Sequence, residues 1–306
     1  MYQDHLKTAM EQLSSARLAA DPKVALGPEI LANAQLLRRS LQKGEGGVEG
    51  WLVLGWVYFY RIRAQEPGTS RNDWIAAVEA FTPCFIADVE PLPEVLLPVI
   101  VDNVVISATS ILERVDRSEV RAVVRLWHRI VAATAPDDPM RARRLSHLSI
   151  ALQRQFDMLG DPGDQDAAVA FAEEAVKITP ADHSPPAEVL FNAGSFAWSR
   201  FGVTQEPADL DKALDYMQRA VATGLPDSPL RGEALITLAV ALQERFQRRT
   251  DPSALDEAIA VFRQAVVGGG GGGAENTPTL RRQKAAPGKP VRKYGAGDER
   301  KENKPP

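Results

Sequence analysis

Apolar residues in this chain recur at helical spacing, and between positions 144 and 266 they do so three times with one fixed period. Leu235, Leu238, Leu242 and Phe246 stand at i, i+3, i+7 and i+11, which is one face of a helix. Residues 248–252 break the pattern. Leu255, Ala258, Ile259, Phe262 and Val266 then form a second face. The same landmarks occur 45 residues earlier, and again 45 before that: Phe156, Phe201 and Phe246; Asp161-Pro162, Glu206-Pro207 and Asp251-Pro252; Ala168, Ala213 and Ala258; Ala175, Ala220 and Ala265. The register does not slip across these 123 residues. A fixed period of this size predicts a repeat architecture whose unit is two helices. Asp-Pro before the second helix supplies an N-cap followed by proline at the first helical position. Small residues also keep register, as Ser149, Gly194 and Ala239 on the first helix. Small side chains at fixed places let two helices approach closely.

The rest of the chain is read against this frame. Residues 3–19 predict an amphipathic helix with Leu6, Met10, Leu13 and Leu18 on one side, and Asp21-Pro22 ends it. Residues 28–42 predict a second, with Ile30, Leu31, Ala34, Leu37 and Leu41 inward, stopped by Gly44, Gly46 and Gly47. Trp51, Leu54, Gly55 and Tyr58, then Ala77, Phe81 and Cys84, predict a further pair with its turn at 66–70. Residues 92–115 are apolar around most of their girth and predict a buried helix, with Pro98 in its first turns. Val123, Trp127 and Ile130 lie one period before Ala168, Ala172 and Ala175, so residues 120–133 read as a degenerate copy in register.

These residues resemble the tetratricopeptide repeat (TPR). That family carries a large apolar residue, Leu, a small residue and an aromatic on helix A, and Ala, an aromatic and Ala on helix B. Trp51, Leu54, Gly55 and Tyr58 follow the helix A pattern in full. In the second 45-residue copy the slots hold Leu190, Ala193, Gly194 and Ala197, then Ala213, Met217 and Ala220, so the aromatic slots are not aromatic. The period exceeds the family's usual 34 residues, which calls for longer helices or a longer turn. The runs 178–183 and 209–213 are similar to long repeats of multidomain bacterial signalling proteins, which often sit beside a caspase-like or nucleotide-binding domain. Neither of those domains is visible in the sequence. The resemblance implies an all-α, right-handed α-solenoid of about six antiparallel helix pairs. The expected division is an N-terminal helix pair at 1–47, TPR-like repeats at 48–267, a glycine linker at 268–273 and a basic tail at 274–306.

Composition narrows the function. Hydrophobic residues make up 44% and charged residues 25%, ordinary for a globular chain. No run approaches about 18 uninterrupted apolar residues, so no membrane span is expected. The first residues do not read as a secretory signal. The single cysteine, Cys84, excludes an internal disulfide and reads as a small core residue. These features together lead to an expected cytoplasmic location. His5, His128, His147 and His183 sit on different elements without metal-ligand spacing, and the glycine run has no Lys-Ser/Thr behind it. The acid pairs Asp161/Asp164 and Asp209/Asp211 read as helix caps rather than a calcium site. No enzymatic activity, cofactor or metal is expected.

What remains is the concave surface lined by helix A. By analogy with the TPR family its inner positions are Trp56, Phe59 and Tyr60 in the first recognisable repeat. They continue as Arg143, Ser146, Ile150 and Gln153, then Glu188, Phe191, Asn192, Ser195 and Trp198, then Glu233, Ile236, Val240 and Gln243. Asn192 occupies a slot that some peptide-binding relatives use to grip a ligand backbone. The Lys/Arg set of the carboxylate-clamp subfamily is missing. The implied function is a non-catalytic scaffold that binds a protein or peptide. The alternative is a regulatory or sensor arm of a larger signalling enzyme. Large apolar residues such as Phe191 and Trp198 also have a plain reading, as packing between repeats.

Charge points to a basic or amphipathic ligand. The tail holds nine Lys/Arg against four acids, +5, which leaves 27 against 36 in residues 1–273, or −9. Six glycines span roughly 13 Å as a coil. They would present the tail to a nearby face at an effective concentration of order mM. The tail reads as disordered in isolation, and the hexaglycine as a linker of the kind used to join a foreign peptide. Leu280, Val291 and Tyr294 are its candidate apolar anchors. Nucleic acid is disfavoured as a partner: Tyr294 is the only aromatic among the basic residues, and the acidic body repels phosphate.

Overall fold

The computed structural model describes residues 1–19, 22–66, 70–179, 186–225, 228–249 and 252–268. Among them are twelve α-helices and no strand, arranged as six successive pairs. The pairs are α1 (Tyr2–Leu18) with α2 (Pro28–Gln42), α3 (Val48–Ala64) with α4 (Arg71–Ile86), and α5 (Leu97–Arg114) with α6 (Val120–Ala132). They continue as α7 (Arg141–Leu159) with α8 (Pro162–Lys177), α9 (Ala187–Thr204) with α10 (Pro207–Thr223), and α11 (Pro229–Arg249) with α12 (Pro252–Gly268). The second helix of each of the first five pairs also packs on the first helix of the next, so one core runs the length of the array. This is an α-solenoid of TPR-like helix pairs, the architecture that the 45-residue period implies.

Local chemistry explains the boundaries. Asp161 caps α8: its Oδ1 accepts the Gly163 N–H at 2.9 Å, and Pro162 takes the first helical position. Gly44 closes α2 in the left-handed region at φ 78°, where a Cβ would be strained. Asp251 lies outside the described residues. So does most of the turn expected at 66–70.

The small-residue slots set the helix spacing within a pair. A Cβ on Gly55 would meet the Phe81 ring at 2.6–2.8 Å, and one on Gly194 would meet Met217 at 3.0 Å. Ser149 and Ala239 occupy the same register and are buried. Cys84 is a core residue, as expected. It is fully buried, and burial pushes its thiol up to about 12.

Three expectations need correction. Helix α5 is not buried around its girth. Ile100, Val101, Val104, Ala108 and Leu112 face the core, while Val99 and Ile106 are exposed, as is Val95 just before the helix. The physical reason lies in the neighbours. Helix α5 packs on α4 and α6 but not closely on α3 or α7, whereas α7, α9 and α11 touch one another in sequence. The stretch Glu94–Arg114 is, by length and composition, long and apolar enough to cross a membrane. In α1 the buried face is Leu6 and Ala9 with Leu13 and Tyr2 partly covered, and Met10 and Leu18 point outward. Asp209 does not cap a helix. It is buried and forms a two-pronged ion pair with Arg200, at 2.5 and 2.9 Å.

Candidate functional site

Helices α7, α9 and α11 each present the same register to one surface, so residues 45 apart stand side by side on neighbouring helices. Arg143 aligns with Glu188 and Glu233. Ser146 aligns with Phe191 and Ile236, Ile150 with Ser195 and Val240, and Gln153 with Trp198 and Gln243.

Polar members of these rows join one helix to the next. Arg143 Nε meets Glu188 Oε1 at 2.5 Å. Asn192 Nδ2 donates to Ser146 Oγ at 3.0 Å, and Gln153 Nε2 donates to Ser199 Oγ at 3.3 Å. Ser146 and Gln153 are buried by these contacts. That removes both from the set of inner positions open to a ligand: lateral hydrogen bonding between repeats uses them. Asn192 is half-buried, and its amide nitrogen also takes part in this bonding.

The apolar members stay half-exposed. Ile150, Phe191, Trp198 and Ile236 rest against the core on one side and face solvent on the other, and Val240 is half-buried beside them. Trp198 stacks on Phe201 with ring centroids 5.5 Å apart, which fixes its ring. Ser195 is half-buried, and Arg143 and Gln243 are exposed. On α3, Trp56, Phe59 and Tyr60 form a separate half-buried aromatic cluster. Trp56 meets Phe59 and Phe81 edge to face at 5.5 and 5.7 Å. The structure therefore brings the residues of α7, α9 and α11 together. Those of α3 stand two pairs away along the array.

Sequence reasoning missed Val95, Val99 and Ile106, the exposed apolar residues of the third pair. The available signal was that α5 is apolar on more sides than one pair of neighbours can cover. The tail anchors Leu280, Val291 and Tyr294 lie outside the described residues.

Glu233 stands apart electrostatically. It is half-buried, it has no ion-pair partner among the described residues, and burial pushes its carboxyl above the usual carboxylate range. Its counterpart one period earlier, Glu188, has Arg143. A raised folded-state pKa means that Glu233 supports the fold when protonated and loses that contribution as pH rises through the folded value. Glu233→Gln is therefore expected to raise the melting temperature at pH 7 by roughly 1–2 °C. The gain should vanish near pH 4, and paired thermal scans at the two pH values check it.

No catalytic constellation accompanies these rows. Among the described residues no group of three or more His, Cys, Asp or Glu is placed to hold a metal ion. A cleft of about 370 Å³ between α1 and α2, lined by Glu11, Ser15, Val24 and Ile30 among others, is remote in sequence from the groove rows.

No protein-family model matches the chain, and no curated protein matches it. Solved structures similar to it include the following two. BtubC (BKLC) from P. vanneervenii is 14% identical over 90% of this chain and 96% of its own, with a TM-score of 0.37. A Podosopora anserina kinesin light chain, described as having nearly identical TPR-like repeats, is 17% identical over 81% of this chain and 99% of its own, with a TM-score of 0.33.

Proposed function

We propose that the surface of α7, α9 and α11 binds an extended or helical peptide of basic or amphipathic character, and that residues 274–306 are such a peptide acting in cis. The observation that carries this reading is the pairing of half-exposed apolar side chains with one uncompensated acid. Phe191, Trp198, Ile236 and Val240 offer apolar contact, and Glu233 offers a carboxylate whose burial is relieved by a cation. A lysine or arginine beside Glu233 would take the place that Arg143 takes beside Glu188. The −9 body and the +5 tail add long-range attraction, which raises encounter rate and helps set orientation. The surface acts by binding and carries out no chemistry.

The test is a titration of residues 1–268 with a separate 274–306 peptide. Saturable binding is expected at low salt, weakening as ionic strength rises. Phe191→Ala with Trp198→Ala should weaken it by at least tenfold, since buried aromatic anchors dominate such interfaces. Absence of saturable binding at low salt would refute the proposal for this peptide.

A further inference from the structure

We propose that the outer face of α12 is a self-association surface, on which two copies of this chain pack α12 against α12 about a two-fold axis. Ile259, Phe262 and Val266 form one stripe at i, i+3 and i+7, and they are 42%, 49% and 68% exposed. Each lies one or two periods after a core position. In α10 the counterparts Leu214 and Met217 are 3% and 0% exposed. In α8 the counterparts Val169, Ala172 and Val176 are 2%, 1% and 9% exposed. The difference is the next helix. Helix α8 is covered by α9 and α10 by α11, whereas α12 packs only on α11 among the described residues. The stripe is therefore core-register sequence left without a neighbour. An exposed apolar face of this kind marks an interaction site more often than a lone surface leucine does.

A second copy suits this face better than two other occupants. Head-to-tail stacking would press the stripe against α1, whose exposed residues mix Met10 and Leu18 with the charged Asp4, Lys7, Glu11 and Arg17. The residues after α12 hold Leu280, Val291 and Tyr294, too far apart for three contacts at helical spacing, with Pro287 and Pro290 between. An isologous contact sets apolar against apolar. An antiparallel crossing centred on Phe262 brings Ile259 of each copy to Val266 of the other. One helix face is small beside a standard interface, so the association is weak, with a dissociation constant of roughly 10–100 µM. This inference is independent of the groove.

Sedimentation of the full chain from about 1 to 200 µM is expected to show a monomer–dimer equilibrium. Phe262→Asp should give monomer throughout with an unchanged melting curve. Val266→Glu, at the most exposed of the three positions, should do the same and covers the case in which the first variant fails to fold. Phe262→Cys should form a covalent dimer under mild oxidation, because two-fold symmetry brings the introduced thiols together. Cys84 will not compete, being buried with its thiol pushed up to about 12. A chain that stays monomeric at every concentration overturns the proposal, including the case in which the following residues cover α12 in cis. So does a dimer that survives both charged variants, or one that gives no covalent product with the introduced thiol.

Discussion

Gly55→Leu is expected to be the most damaging single substitution in the small-residue slots. The Phe81 ring lies 2.6–2.8 Å from where even a Cβ would stand, and that ring is fully buried and meets Trp56 edge to face. A leucine there must push α3 away from α4 or drive Phe81 out of its place, and overpacking of this kind costs about 3 kcal/mol. Gly194→Leu should cost less, about 1–3 kcal/mol, because a Cβ there meets the Met217 side chain at 3.0 Å and its backbone nitrogen at 3.3 Å, looser than the 2.6–2.8 Å to the Phe81 ring. Gly202, on the exposed side of α9, has nothing within 4 Å of a new Cβ. Gly202→Ala should be neutral or stabilise by up to about 1 kcal/mol, since glycine weakens a helix interior. Denaturant unfolding of the three variants checks the ranking. Equal stability of all three would show that the helix A–helix B contact is wrongly assigned.

The second large effect is expected at Asp209. Its carboxylate is buried against Arg200, and Thr204 also donates to it at 3.3 Å. Hydrogen bonding to Asp209 is the first reason that the Arg200 guanidinium holds its proton more tightly than usual. Removing one partner of a buried pair leaves an uncompensated charge, which costs about 3–5 kcal/mol. Arg200 is 19% exposed and retains Asp166 at 3.3 Å, so Asp209→Ala should fall nearer 2–3 kcal/mol. Replacing both Asp209 and Arg200 by leucine should recover part of that loss, because no charge is then stranded. Unfolding free energies of the single and double variants give the coupling directly. A single variant as stable as the parent would mean that the pair contributes nothing.

Both predictions show which parts of the molecule were legible in the sequence. Ser149, Gly194 and Ala239 could be read as contact positions because an unbroken period identifies equivalent sites whatever residue fills them, and Gly55 because Trp51, Leu54 and Tyr58 around it follow the TPR helix A pattern. The start of α8 was legible for a local reason: Asp-Pro fixes a cap within a few residues. Asp209 was misread for the opposite reason. Its partner Arg200 is on the preceding helix and outside any local motif. Helix α5 was misread because hydrophobicity records what a helix could bury, while burial depends on how close α3 and α7 come. In the groove, Ser146 and Gln153 share the register of half-exposed residues. Only the hydrogen bonds to Asn192 and Ser199 show that they are enclosed.

The central claim is that α7, α9 and α11 form the binding surface, and amide mapping tests it most directly. Labelled residues 1–268 would be titrated with unlabelled 274–306 peptide at low salt while the amide spectrum is followed. The account predicts shifts clustered around Ile150, Phe191, Asn192, Trp198, Glu233 and Ile236, reversed by added salt. An unchanged spectrum, or shifts gathered on the outer face of α12 or along the aromatic cluster of α3, would contradict it.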